Sequence, residues 1–136
     1  MPARRRDFIV DKGADFQRQL YLAPGPDADI RNFTARMQIR ASASAEPFLL
    51  ELTTENGRIT CDYGVVTLNL PNAITAALDT STLTTKGKII EPANAGEKPY
   101  EGEGKLAVYD LELVSPAGIV SKYLYGKVVF VDNVTR

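Results

Sequence analysis

The chain has 136 residues, of which 44% are hydrophobic and 24% are charged, and its formal net charge is -1. This length suits a single domain. The lack of histidine and the single cysteine, Cys61, exclude Ser-His-Asp and Cys-His catalytic groupings, an intrachain disulfide and a cysteine-cluster zinc site. We therefore predict a protein that is not an enzyme and needs no cofactor or metal, in which Cys61 is a small buried side chain.

The N-terminal segment carries one basic cluster, formed by Arg4, Arg5 and Arg6. We predict an N-terminal arm over residues 1–6 that is either solvated, which is the favoured interpretation, or in contact with a nucleic acid or an acidic partner. Because 16 basic residues are balanced by 17 acidic ones, nucleic-acid binding is not expected. The segment after the arm is too short and too charged for a signal peptide, and the chain has no apolar run of about 20 residues, so we expect neither secretion nor a membrane span.

Alternation of apolar and polar residues predicts β-strands through the first half of the chain. A strand is predicted over 16–22 from an imperfect pattern that places Phe16, Arg18, Leu20 and Leu22 on one side. The clearest pattern is that of 33–40, where apolar residues occupy the odd positions and polar residues the even ones. Further strands are predicted over 47–53, with Phe48, Leu50 and Leu52 inward, over 58–61 and over 65–70.

Turn-forming residues separate these strands. The Pro-Gly-Pro-Asp sequence of 24–27 ends the first of them. Asn56-Gly57 predicts a hairpin between 48–53 and 58–61, because both residue types tolerate positive φ. The only predicted helix lies within 71–78, with Asn72 as its N-cap and with Ile74 and Leu78 directed into the core.

Residues 79–104 have a different composition, rich in Thr, Gly, Pro, Glu and Lys. A segment of this length is too long for an ordinary connection between strands, so we predict an insertion loop. Within it, 82–85 and 88–90 are predicted to form a small hairpin around Lys86-Gly87, and 91–104 is predicted to be mobile or ordered by a partner. The charged residues near its end are expected to be solvated rather than metal-binding: Glu97, Lys98, Glu101, Glu103 and Lys105.

Two long strands, 106–114 and 120–131, are predicted to complete the chain, joined by a hairpin turn at 115–118. Asp110 and Glu112 alternate with apolar residues of the first strand and are expected on a solvated outer face rather than in a glycosidase site.

Two tyrosines of the last strand, Tyr123 and Tyr125, flank Leu124 and are predicted to project together from the side opposite the core. That side is either a contact surface, which tyrosine suits because it combines apolar area with a polar tip, or a side covered by 79–104. Many short strands separated by turns predict one all-β domain over 1–136. Its fold class is an antiparallel β-sandwich with one short helix and a long inter-strand insertion.

In order along the chain, these segments resemble a family of small all-β virion proteins of tailed bacteriophages and prophages, similar to the immunoglobulin-like N-terminal domains of baseplate upper proteins. The resemblance is carried by residues 7–16 (DFIVDKGADF), 33–40 (FTARMQIR), 50–59 (LELTTENGRI), 76–78 (AAL), 108–113 (VYDLEL) and 125–128 (YGKV). It excludes 79–104, where members of the family tend to have a short link. It implies an immunoglobulin-like sandwich without catalytic residues.

The resemblance implies a non-enzymatic structural protein of the virion, assembled in the bacterial cytoplasm and placed in the tail, baseplate or neck/collar. Its partners would be other virion proteins, contacted by several symmetric copies. On this interpretation the interface residues are Arg4, Arg5, Arg6, Lys88, Ile89, Ile90, Tyr100, Tyr123 and Tyr125. The alternative is a carbohydrate- or receptor-binding module of a phage tail that uses the outer tyrosines, against which the absence of tryptophan counts.

Overall fold

A computed structural model of the chain describes residues 3–22, 28–44, 47–92, 96 and 98–132. The turn-forming sequence at 24–27, which is predicted to end the strand over 16–22, lies outside the described residues. The described residues form β-strands and one short helix, as the sequence predicts. The elements are β1 (Arg4–Arg5), β2 (Phe8–Asp11), β3 (Phe16–Tyr21), β4 (Thr34–Arg40), β5 (Leu50–Thr53), β6 (Ile59–Cys61), β7 (Val65–Leu70), α1 (Asn72–Ala77), β8 (Lys86–Glu91), β9 (Tyr100–Val114) and β10 (Val120–Val131).

The strands form two sheets. The larger has the order β1-β10-β9-β4-β5, with β2 also paired to β10 and β8 also paired to β9, and the smaller has the order β3-β7-β6. β1 and β2 run parallel to β10, whereas the other pairs are antiparallel. One hydrophobic core receives side chains from both sheets. The fold is therefore an all-β sandwich with a mixed larger sheet, and its immunoglobulin-like character stays a prediction.

The apolar residues that alternate along β4 face the core, as predicted. Ala35, Met37 and Ile39 are all buried, because successive side chains of a strand point to opposite faces. Apolar residues of the facing strands complete the core, and their removal from water is the main source of stability at about 25 cal/mol per Å². They include Phe8, Val10, Phe16, Leu20, Leu52, Val66, Leu68, Leu70, Leu111 and Val128.

Two predicted details of the first half are wrong. Phe48 precedes β5, which begins at Leu50, and its side chain is exposed. The N-cap of α1 is Pro71 rather than Asn72, and no side chain caps the helix. Asp15 instead accepts the backbone N–H of Asn72 at 2.7 Å, so a carboxylate from a neighbouring loop serves the first turn.

The segment around Asn56-Gly57 does not form a hairpin. It connects β5 of the larger sheet to β6 of the smaller sheet, so the strands on either side are not paired with each other. Gly57 has a φ of +78°, a conformation in which glycine is favoured. The predicted turns at 62–64 and 115–118 do form hairpins, between β6 and β7 and between β9 and β10.

Most of the predicted insertion is regular structure. Lys86-Gly87 is the beginning of β8 rather than a turn, and Tyr100–Gly104 is the first part of β9 rather than a mobile segment. β8 and β9 pair from Lys86↔Lys105 to Glu91↔Tyr100. We call β8 together with residues 100–105 of β9 the β8–β9 hairpin; it belongs to the larger sheet.

The β8–β9 hairpin makes a second, smaller core. Ile9, Ile89 and Val129 are buried together, on the side of β2 opposite to Phe8 and Val10, which belong to the main core. Two glycines of β9 allow the close approach, since a Cβ at Gly102 would lie 2.6 Å from Ile9 Cγ2 and one at Gly104 would overlap the Phe130 carbonyl oxygen. The hairpin therefore lies against β2 and β10.

Candidate interaction surface

The free edge of β2 is closed by two charged side chains. The Ile9 N–H donates to Glu91 Oε1 at 2.7 Å, and Arg18 Nη2 donates to the Ile9 carbonyl oxygen at 3.3 Å. Arg18 and Glu91 also pair with each other, at 2.7 Å from Nη2 to Oε1 and 2.8 Å from Nε to Oε2. Glu91 is 4% exposed. These side chains occupy the backbone groups to which an added strand would bind.

Contacts around this pair join three parts of the chain. The Arg18 guanidinium lies 4.6 Å from the centre of the Phe16 ring, and the Tyr100 hydroxyl donates to a carboxylate oxygen of Asp11. That hydrogen bond is the main cause that raises the pKa of Tyr100 to about 12. The contacts of Arg18, Glu91 and Tyr100 thus hold β3, β2 and the β8–β9 hairpin together.

The edge of β5, on the opposite side of the larger sheet, is closed in a similar way. The Glu51 carbonyl oxygen accepts hydrogen bonds from Asn56 Nδ2 at 3.1 Å and from Arg58 Nη1 at 2.9 Å. Asn56 Oδ1 in turn accepts the Thr53 N–H at 2.9 Å. Side chains that follow β5 therefore occupy backbone groups that a neighbouring strand would use.

Between these edges, the side of the larger sheet away from the main core forms an open depression of about 870 Å³. We call it the outer face. Its side chains lie in rows across the strands, because residues paired across neighbouring strands point to the same side. The first row is Lys122, Glu112, Arg36 and Thr53; the second is Arg5, Tyr125, Asp110, Gln38 and Glu51; the third is Lys127, Val108 and Arg40.

The carboxylates of the outer face are engaged within it. Glu112 accepts from Arg36 at 2.8 Å, Asp110 lies 3.6 Å from the Lys122 ammonium, and Glu51 accepts from Gln38 Nε2 at 2.8 Å. Five basic and three acidic residues line the depression among those that the structure describes. In the third row, Val108 lies between Lys127 and Arg40, and Arg40 Nη2 donates to Gln38 Oε1 at 2.6 Å.

A separate apolar cleft of about 330 Å³ opens between the sheets. Leu22, Ile30, Phe33 and Tyr123 line it, and burial raises the pKa of Tyr123.

The predicted arm is partly a strand. Arg4 and Arg5 pair in parallel with Leu124 and Tyr125 of β10, and Arg5 joins the outer face. The Arg6 guanidinium lies 5.4 Å from the centre of the Phe8 ring, and the Arg6 carbonyl oxygen accepts the Tyr109 hydroxyl. Burial raises the pKa of Tyr109.

The candidate residues of the β8–β9 hairpin have different surroundings. Lys88 and Tyr100 are exposed, and the Lys88 ammonium lies 3.2 Å from Glu101 Oε2. Ile90 is exposed as well, whereas Ile89 belongs to the smaller core and is buried. Ile89 therefore offers no surface to a partner in this fold.

The two candidate tyrosines of β10 do not share a surface. A β-bulge shifts the register between Lys122 and Leu124, and Tyr123 is the extra residue within it. A bulge interrupts the alternation of side chains, so Tyr123 lies in the apolar cleft while Tyr125 lies in the outer face. The predicted pair of exposed tyrosines in register is wrong.

Several residues of these sites were not predicted as functional. Arg18, Glu91, Asn56 and Arg58 act on strand edges that periodicity alone does not identify. Arg36 and Arg40 had a usable signal, because they occupy the polar positions of the clearest alternation in the chain.

Cys61 lies at the edge of the smaller sheet on β6. Its thiol is free and half-buried, and burial raises its pKa. Within the described ranges, no three of the potential metal-ligating residues His, Cys, Asp and Glu come together. The same ranges contain no helix that is both long and apolar enough to span a membrane.

The chain matches no protein-family model, and no curated protein matches it in sequence. The resemblance to small phage virion proteins therefore rests on the strand patterns alone.

Proposed function

We propose that the protein is a non-enzymatic structural component of a tailed-phage virion that joins other proteins of the tail, baseplate or neck/collar through the outer face. The observation that carries this proposal is that side chains occupy backbone groups of β2 and β5, edge strands on opposite sides of the larger sheet, whereas the face between these two strands is open. Contact through side chains is then favoured over addition of a strand.

The chemistry of the outer face supports a protein partner. Tyr125 is 45% exposed near the middle of the surface, and tyrosine and arginine are enriched where proteins contact one another. The alternative of a sugar-binding tyrosine platform has no support in the geometry, because Tyr123 and Tyr125 lie in different depressions.

The test is to inactivate the gene in the phage that carries it and to examine the particles by electron microscopy and mass spectrometry. We expect wild-type particles to contain the protein in several copies, and mutant particles to lack part of the tail, baseplate or collar. Supplying the wild-type gene in trans should restore them. Infectious mutant particles of normal appearance, or wild-type particles without this protein, would contradict the proposal.

A matched pair of variants tests the surface. Tyr125→Ala should reduce the amount of protein in particles while leaving the fold intact, because Tyr125 is exposed. Tyr21→Ala is the control, since Tyr21 is 74% exposed but lies on β3 of the smaller sheet. Equal incorporation of both variants would exclude the outer face as the contact surface.

A further inference from the structure

One edge of the smaller sheet is β3, and its backbone groups follow a regular pattern. The Leu22 N–H donates to the Gly64 carbonyl oxygen at 2.8 Å, which continues the antiparallel pairing of β3 with β7. Alternate residues of an antiparallel strand direct both backbone groups to the partner strand. Gln17, Gln19 and Tyr21 therefore direct theirs away from β7, along the edge of the sheet.

Most of these outward backbone groups have no partner. Arg18 Nη1 donates to the Gln17 carbonyl oxygen at 2.9 Å, and the Tyr123 hydroxyl lies 3.5 Å from the Tyr21 carbonyl oxygen. Among the residues that the structure describes, none binds the N–H groups of Gln17, Gln19 and Tyr21 or the Gln19 carbonyl oxygen. β3 thus differs from β2 and β5, where side chains occupy the backbone groups of the edge.

The length and the charge of β3 also suit the addition of a strand. β3 has six residues, whereas β1 has two and β6 has three. Sheets are commonly protected at their edges by lysine or other charged side chains. The exposed side chains of β3 are uncharged, and Arg18, its one charged residue, is paired with Glu91.

An open groove of about 690 Å³ follows this edge. One side of the groove is β3, and the other is formed by β2 and the β8–β9 hairpin together with Pro92 and Lys98. The ion pair of Arg18 and Glu91 bridges the two sides, with 2.7 Å between Nη2 and Oε1. The groove is therefore lined by unpaired backbone groups on one side and crossed by a pair of charges that neutralise each other.

We infer that the groove binds an extended segment of a neighbouring virion protein, which adds a strand to the smaller sheet next to β3. The main chain of the segment pairs with Gln17, Gln19 and Tyr21, as in other cases of strand addition to an exposed sheet edge. Its side chains directed at Arg18 and Glu91 are uncharged, because a further charge buried there would be unpaired. This inference rests on the proposed function and adds a second contact, separate from the outer face.

A second copy of this chain fits the groove less well. Pairing β3 with β3 of another copy would bring the β2 strands and the β8–β9 hairpins of both copies into the space beside one edge, since these elements bound the groove in each copy. A single extended segment brings no such elements with it.

The test is hydrogen–deuterium exchange of the backbone amides of β3, measured by mass spectrometry in the free protein and in purified particles. We expect the amides of Gln17, Gln19 and Tyr21 to exchange rapidly in the free protein and about a hundredfold more slowly in particles, because the added strand binds them. The amides of Arg18 and Leu20 point to β7 and are the internal control, which should be protected in both samples.

A proline variant gives a second measurement. Gln19→Pro removes an N–H that points away from β7, a position at which an edge strand tolerates proline, and should reduce incorporation into particles by about tenfold. Gln19→Ala keeps the N–H and should be incorporated like the wild type, as should other variants that change only an exposed side chain of β3. Circular dichroism establishes that each variant folds, and the exchange measured in wild-type particles does not depend on the variants.

The outcomes separate the two proposals. Absence of the protein from particles overturns both. Its presence in particles with outward amides of β3 that exchange as fast as in the free protein overturns the added strand alone. A free protein that sediments as a dimer with these amides already protected also overturns it, in favour of a second copy.

Discussion

Two edge strands of the larger sheet, β2 and β5, are both closed by side chains that bind their backbone groups, but the side chains differ in chemistry. At the β2 edge, the buried carboxylate of Glu91, 82 residues away in the chain, and the guanidinium of Arg18, 9 residues away, bind Ile9. At the β5 edge, Asn56 and Arg58 bind Glu51 from five and seven residues away. Both arrangements satisfy backbone groups that would otherwise bind another strand.

Closure of the β2 edge depends on distant parts of the fold, whereas closure of the β5 edge is local. The β5 edge is closed by the connection that follows it, which remains accessible to water. The β2 edge is closed only when β3 and the β8–β9 hairpin are both in place, and a buried charge that loses its partner is costly. We therefore expect substitutions at the β2 edge to have the larger effects.

The largest effect is expected for Glu91→Ala. This substitution removes the acceptor of the Ile9 N–H and leaves Arg18 without its carboxylate, so the free energy of unfolding should fall by about 3 kcal/mol. Glu91→Gln keeps an acceptor for the N–H and should cost less. Urea unfolding followed by circular dichroism measures both.

The control is the exposed ion pair of the same hairpin. Glu101→Gln breaks the ion pair with Lys88. The side chains of Lys88 and Glu101 are 55% and 56% exposed, so the free energy of unfolding should change by no more than about 1 kcal/mol. Equal losses for Glu91→Gln and Glu101→Gln would show that the buried pair does not close the β2 edge as described.

Gly104→Ala is expected to have the next largest effect. The added methyl group would overlap the backbone carbonyl of Phe130, so the β8–β9 hairpin must move away from β10. Overpacking of this kind costs about 1–3 kcal/mol. Thermal unfolding should show a lower midpoint than for the wild type, and an unchanged midpoint would mean that the hairpin can move freely.

A smaller effect is expected at the β5 edge. Asn56→Ala removes the hydrogen bonds of Asn56 to Thr53 and Glu51 in a solvated region and should lower the free energy of unfolding by about 1 kcal/mol. Glu55→Ala, at the exposed position next to it, is the matched control.

Combining Asn56→Ala with Arg58→Ala should open the β5 edge and cause concentration-dependent association, which light scattering detects. A double variant that stays monomeric would contradict the role of these two side chains.

The smallest effect concerns the edge of the smaller sheet. Because burial raises the pKa of Cys61, the neutral thiol persists to higher pH and the reactive thiolate is scarce at pH 8. We expect Ellman's reagent to modify Cys61 more slowly in the folded chain than in guanidinium at the same pH, with a rate that rises at higher pH. Equal rates in the two states would show that β6 leaves the thiol accessible.

Periodicity predicted the strands whose two sides face different environments. In β4, β7 and β9, one side faces the core and the other faces water, so the sequence alternates. Of β8 it predicted only 88–90, as one arm of a small hairpin around Lys86-Gly87, because Gly87 and the charged residues of 86–91 obscure the two buried positions, Ile89 and Glu91. A buried glutamate looks like a surface residue until Arg18 and Ile9 are brought to it by the fold.

The outer face was only partly predictable. Asp110 and Glu112 were placed on an outer surface from their alternation, and they lie there. The bulge at Tyr123 was not visible, since one extra residue in a strand leaves composition and spacing almost unchanged. The connection at Asn56-Gly57 likewise has a hairpin sequence, but which sheet a strand joins is decided by contacts far along the chain.

The parallel pairing of β1 and β2 with β10 has a consequence for folding during synthesis. The Lys127 N–H donates to Asp7, 120 residues away, and β10 separates β1 and β2 from the rest of the sheet. Until β10 leaves the ribosome, Phe8 and Val10 have no sheet to join, and contacts this distant in sequence form slowly. β1 and β2 are therefore made long before β10 but settle only after it, and the outer face exists only once β10 is in place.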